Sequence, residues 1–205
     1  MGALLKLSGL IDTLNEWIGK FIGWLVLAAV LISAGNAIMR KAFDVGSNSF
    51  LEIQWYLFAG VFLLGAGYVW LKNGHVRIDF IAGKLSKRTN TIIDIVGMVV
   101  FTIPLTLILI NLSWPVFERA WVSGEMSQNA GGLIRWPVML LIPVGFSLLL
   151  LQCVSELTKR VAFLTGHRSE PFSSADDKHE EQRLAEELAA EAARREEALL
   201  AGKAN

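Results

Sequence analysis

Residues 92–114 read IIDIVGMVVFTIPLTLILINLSW, and this stretch decides what kind of protein the chain is. Its single charge, Asp94, lies near one end, and the rest is hydrocarbon and small polar groups. A bilayer core about 30 Å thick is crossed by about 20 apolar residues of helix. Lipid offers a bare amide no partner, so such a stretch must satisfy its backbone internally, as a helix. Three more stretches repeat the pattern, giving predicted spans at 17–39, 50–71, 92–114 and 136–158. Asp12 and Glu16 precede the long apolar run of the first, which reads as a retained span and not a cleaved signal peptide.

The fold class is therefore all-α integral membrane, with four transmembrane helices. Three regions are predicted: an N-terminal segment 1–16, a four-helix membrane domain 17–165 and a charged tail 166–205. In the first, Leu4, Leu5, Leu7, Leu10, Ile11 and Leu14 alternate with Lys6, Asp12, Asn15 and Glu16. It reads either as an amphipathic helix lying along the membrane surface or as the start of helix one. The tail, rich in Ala, Glu and Arg, reads as a solvated helix or a disordered segment.

Boundary chemistry and charge set the orientation. Trp17, Trp24, Trp55, Tyr56, Trp70, Trp114, Trp121 and Trp136 cluster near predicted ends, where rings favour the headgroup layer. The loop between helices two and three carries Lys72, Arg77, Lys84, Lys87 and Arg88 against one acid, Asp79. The positive-inside rule places this loop and both termini in the cytoplasm; Arg40 and Lys41 in the first loop pull mildly the other way. Topology alone accounts for the loop, while Lys72, His75, Arg77, Asp79, Lys84, Lys87 and Arg88 are also candidates for contact with membrane phospholipids.

Pro104, in mid-span, should bend helix three, because it removes one backbone hydrogen bond. Pro137 falls in the first turn of helix four, where a missing N–H costs little.

Several function classes lack their residues. No G-x-x-x-x-G-K-[ST] phosphate loop occurs. His75, His167 and His179 all fall outside the spans, which argues against an intramembrane haem. Lone Cys153 offers neither a disulfide nor a metal-ligand spacing and reads as a small buried apolar residue. Lys plus Arg and Asp plus Glu are 19 each, with no concentrated basic face for nucleic acid. No acid sits at a span centre, where a proton-coupled carrier would need one. The chain reads as no enzyme, with no catalytic, cofactor-binding or metal-binding residues and no cofactor.

What the spans offer is packing surface. Gly19 and Gly23 form a G-x-x-x-G step, Ala29, Ser33 and Ala37 continue a small-residue stripe, and Gly60 and Gly67 share a face of helix two. Small residues let helices approach closely in lipid. At the span ends, Glu52 and Gln54 open helix two and Asp94 opens helix three, while Gln152, Glu156 and Arg160 follow one face of helix four. Glu52 is expected either to pair with Arg40 or Arg135 or to sit hydrated at headgroup level.

These residues carry a resemblance. Glu52-Ile-Gln-Trp-Tyr-Leu-Phe58, Leu63-Leu-Gly-Ala-Gly-Tyr68 and Asn73-Gly-His-Val-Arg-Ile-Asp79, with Ser113-Trp-Pro115, Gly131-Gly-Leu-Ile-Arg-Trp136 and Ile142-Pro-Val-Gly-Phe146, are similar to the small, DctQ-type subunit of tripartite ATP-independent periplasmic (TRAP) transporters. The resemblance covers about residues 10–165. It implies a multi-pass protein of the bacterial inner membrane with two partners, a large DctM-type membrane subunit and a periplasmic DctP-type binding protein. It also implies ion-coupled, usually sodium-coupled, import of an organic acid, with this subunit bracing the large one. Glu52, Gln54, Arg135 and Trp136 then become candidates for partner or periplasmic contact. The rival readings are an autonomous four-helix transporter or an accessory membrane protein.

Overall fold

The computed structural model describes residues 2–74 and 84–168. His75, Arg77, Asp79 and the tail from residue 169 lie outside the described residues. Among the described residues four long helices form: α1 (Gly2–Phe43), α2 (Asn48–Leu71), α3 (Lys87–Ser123) and α4 (Trp136–Leu164). All four are long and apolar enough to cross a membrane. Among the described residues no strand forms; Met126 and Ile134 make an isolated antiparallel bridge.

The chemistry of the bundle is inverted relative to a water-soluble protein. The buried apolar residues are few and mostly small: Ala29, Met98, Ala120, Cys153 and Ala162. Large apolar side chains such as Trp24, Phe62, Phe101 and Val122 face outward. In water this would be an aggregating surface; in lipid it is the solvated one, and the polar groups are what turn inward.

α4 is the central helix. It packs against α1, α2 and α3, and α1 also packs against α2, whereas α2 and α3 do not pack along their length. Close approach rests on glycines at two points. A methyl group at Gly145 would lie 2.6 Å from the Leu63 carbonyl oxygen, and one at Gly67 would lie 3.3 Å from the Leu148 carbonyl oxygen and collide with the Asn15 amide. Here the backbones of α2 and α4 nearly touch, as small residues permit.

The helices run beyond the predicted spans. Residues 2–16 continue without a break into α1, whose 42 residues measure about 63 Å. α3 begins at Lys87, where the Ser86 hydroxyl accepts the Thr89 N–H at 3.1 Å as an N-cap. It ends at Gly124, whose φ of 61° suits a residue without Cβ. Pro104 does not interrupt α3. Residues Met98–Thr102 form a π-helical turn, and the Ile103 N–H reaches back to the Met98 carbonyl. The wider turn absorbs the register lost at the proline.

Candidate functional site

Polar side chains gather at the two ends of the bundle. One end holds the 44–47 and 124–135 connections, here the hairpin end. The other holds the start of α1, the start of α3 and the close of α4, here the terminal end.

At the hairpin end, residues 125–135 fold back as a tight antiparallel hairpin. The Ser127 N–H donates to the Leu133 carbonyl and the Arg135 N–H to the Glu125 carbonyl, both at 2.9 Å. Gly131, with φ of 71°, makes the turn. The first three turns of α2 present one face to this hairpin. The Asn48 amide donates to the Ala130 carbonyl at 3.1 Å, the Ser49 hydroxyl to the Gly131 carbonyl and the Tyr56 hydroxyl to the Ile134 carbonyl at 3.1 Å.

Glu52 is the centre of this face and is 4% exposed. Its carboxylate accepts from the Ser127 hydroxyl, the Asn129 amide at 2.6 Å and the Leu133 backbone N–H at 2.7 Å. Burying a carboxylate costs several kcal/mol unless donors replace its water, and three donors do so here. The pairing expected between Glu52 and Arg40 or Arg135 is therefore corrected. Arg135 pairs across the hairpin with Glu125, and neutral donors satisfy Glu52. Nor is Glu52 a hydrated carboxylate. Trp136 stacks edge-on against Trp121, centroids 4.6 Å apart, fixing the start of α4 to the end of α3. Gln54 is buried, and among the described residues its Nε2 has no hydrogen-bond partner. A cleft of about 510 Å³ opens here, lined by Glu52, Trp55, Tyr56, Gln128, Asn129 and Arg135 among others.

At the terminal end, charge meets charge inside the bundle. The Asn15 amide donates to Gln152 Oε1 at 2.9 Å, and Gln152 Nε2 donates to Asp12 at 2.9 Å. The Ser155 hydroxyl donates to Asp12 at 2.8 Å and lies 2.7 Å from the Ser8 hydroxyl. Lys159 bridges Asp12 at 2.8 Å and Glu156 at 2.5 Å. Arg160 joins Glu156 at 2.5 Å to Asp94 at 3.4 Å. The network therefore ties α1, α3 and α4 together, and Asn15 and Gln152 are fully buried. Sequence reading picked out Asp94, Gln152, Glu156 and Arg160 but missed Ser8, Asp12, Asn15, Ser155 and Lys159 as a set. The signal was present: 8, 12, 15 on α1 and 152, 155, 159 on α4 recur at the three-to-four spacing of one helix face.

The other candidates fall out as follows. Gly19 faces the Tyr68 ring, Gly60 lies against Leu25 and Leu141, and Gly67 meets Asn15. Ala29 is buried. Gly23, Ser33 and Ala37 are exposed on α1, and a methyl group on Gly23 would meet nothing within 4 Å. Gly65 and Gly145 were not singled out as packing positions, yet Gly65 sits against Ile22 and Gly145 against Leu63. Lys72 lies 3.9 Å from Glu16 and over the Tyr68 ring. Lys84, Lys87 and Arg88 are exposed.

Among the described residues no group of three or more His, Cys, Asp or Glu could hold a metal ion. No curated protein matches the chain. Residues 29–163, well over half its length, match the family described as tripartite ATP-independent periplasmic transporters, DctQ component. With four membrane-length helices behind that match, the chain belongs to the DctQ family, the small permease component of TRAP transporters.

Proposed function

We propose that this subunit is the passive frame of an ion-coupled importer. The large DctM-type subunit moves an organic acid, driven by sodium, after a DctP-type periplasmic protein delivers it. This chain, in the bacterial inner membrane with both termini cytoplasmic, enlarges and stiffens the fixed part against which the mobile part slides. One observation supports the reading above others. The hydroxyls in the middle of the bundle turn back on their own helices: Thr106 onto the Thr102 and Ile103 carbonyls, Ser113 onto Ile110 and Ser147 onto Pro143. These hydroxyls are spent on helix backbone, while Glu52 at one end and Asp12, Gln152, Glu156, Lys159 and Arg160 at the other are held in polar networks.

The hairpin end then faces the periplasm. Its 124–135 hairpin, held to α2 through Glu52, supplies a rigid surface for the binding protein beside the large subunit. Arg135 and Glu125 at its rim are the groups that would steer that encounter.

Solute uptake into proteoliposomes under an inward-directed sodium gradient tests the reading. The large subunit and binding protein are reconstituted with and without this chain, and this chain is reconstituted alone. The chain alone is expected to carry nothing, and its omission to reduce flux to a small fraction. Full-rate transport by the large subunit without it would refute the bracing role, and flux through this chain alone would restore the autonomous-carrier reading.

A further inference from the structure

Because α2 and α3 both lean on α4 without packing along each other, a groove is left between them with α4 as its floor. Its inner part, about 580 Å³, is walled by Phe62 and Ala66 of α2 and by Phe101 and Leu105 of α3, over Phe146 and Leu149. Two threonines also line it. The Thr106 hydroxyl is bonded to its own helix, so this residue offers a methyl group. Trp70, Phe101 and Thr102 belong equally to a second hollow of about 490 Å³ at the terminal end. The two hollows therefore adjoin along one groove, and the π-helical turn of α3 lines both. In the second hollow the lining changes character. Asn73, Asp94 and Arg160 appear, with the Arg160 Nε 3.4 Å from the Asp94 carboxylate. Gly97 leaves open space there, since a methyl group on it would meet nothing within 4 Å.

We propose that this groove is a binding site for one zwitterionic phospholipid with a primary-amine headgroup, such as phosphatidylethanolamine. An acyl chain fills the apolar part. The phosphate lies toward the Arg160 guanidinium and the ammonium toward the Asp94 carboxylate, with the Asn73 amide beside them. Polarity selects this occupant. A partner's apolar helix would press hydrocarbon onto the charged end. A lipid instead reverses from apolar to charged along its length, as the groove does, and carries both signs of charge where the groove carries both. The site depends on the chain crossing a bilayer and not on what the complex transports.

The test is native mass spectrometry of the full-length chain in mild detergent, with phosphatidylethanolamine, phosphatidylcholine and phosphatidylglycerol of identical acyl chains added at equal concentration. Choline has no N–H to donate to Asp94, and glycerol has no cation. Phosphatidylethanolamine should be retained over each by roughly tenfold, the equivalent of one charge-assisted hydrogen bond. Ala66→Phe, which fills the apolar part, should reduce retention of all three to background without lowering the thermal unfolding midpoint. Should that variant fail to fold, Asn73→Gly keeps the φ of 50° that Asn73 adopts. It should weaken the headgroup preference while the chain is still held. Equal retention of the three lipids, or retention indifferent to both variants, overturns the site. So does efficient cross-linking of Leu105→Cys to the large subunit in the assembled complex, which would show protein in the groove.

Discussion

At the hairpin end a single carboxylate, Glu52, is taken out of water and given three neutral donors. At the terminal end Asp12, Glu156 and Asp94 are threaded onto Lys159 and Arg160, with Ser and Gln side chains filling the gaps. The first arrangement joins a helix to a loop, the second joins helix to helix to helix. Neutral donors can be re-supplied by water if the hairpin lifts, so the first is a local clasp. The second leaves bare charges in a bundle if it opens, so its integrity is that of the whole fold.

Substitutions should separate the two ends. Lys159→Met leaves Asp12 with neutral donors alone and Glu156 with Arg160 as its one remaining cation, and should lower global stability by about 3 kcal/mol, read as the unfolding midpoint in detergent. An unchanged midpoint would mean the network is decorative. Gly67→Leu drives a side chain into the Asn15 amide and the α4 backbone. It should cost about 3 kcal/mol, the upper end for overpacking, while Gly23→Leu on the open face stays within about 0.5 kcal/mol. Glu52→Gln keeps the shape but turns an amide N–H₂ toward donors, which loosens the hairpin. The loss should appear as faster proteolysis within 124–135, with the global midpoint nearly fixed. If Glu52→Gln instead melts the bundle, the clasp is not local. Arg135→Gln removes a pair whose side chains are 38% and 42% exposed, so it should cost less than about 1 kcal/mol. That effect should shrink as salt is raised, unlike the effect of Lys159→Met.

The four spans were legible because the bilayer imposes a length on apolar helix that little else requires. Their ends were not legible, for one physical reason. Charges were read as marking the water boundary, whereas Asp12, Asp94, Lys159 and Arg160 stay on helices and face one another inside the bundle. A single sequence shows that Asp12 is polar, but not that Lys159 lies beside it. Glu52 illustrates the same limit. An acid at a helix start suggested a basic partner, and Arg135 offered one at the same predicted membrane face. The true partners include the backbone N–H of Leu133, which no side-chain inventory contains. Among the glycines, Gly19, Gly60 and Gly67 were found by spacing, while Gly145 lay in a stretch noticed only for its resemblance.

The terminal network also orders events during synthesis. Ser8 and Ser155 are 147 residues apart, so at 5–20 residues per second α1 emerges about 7–30 s before its counterparts on α4 exist. Throughout that interval Asp12 and Asn15 have water as their only good partner, which holds the leading turns of α1 at the bilayer surface. The fourth helix is thus the one that draws the first into register, and a chain truncated before α4 should be a ready target for membrane quality-control proteases.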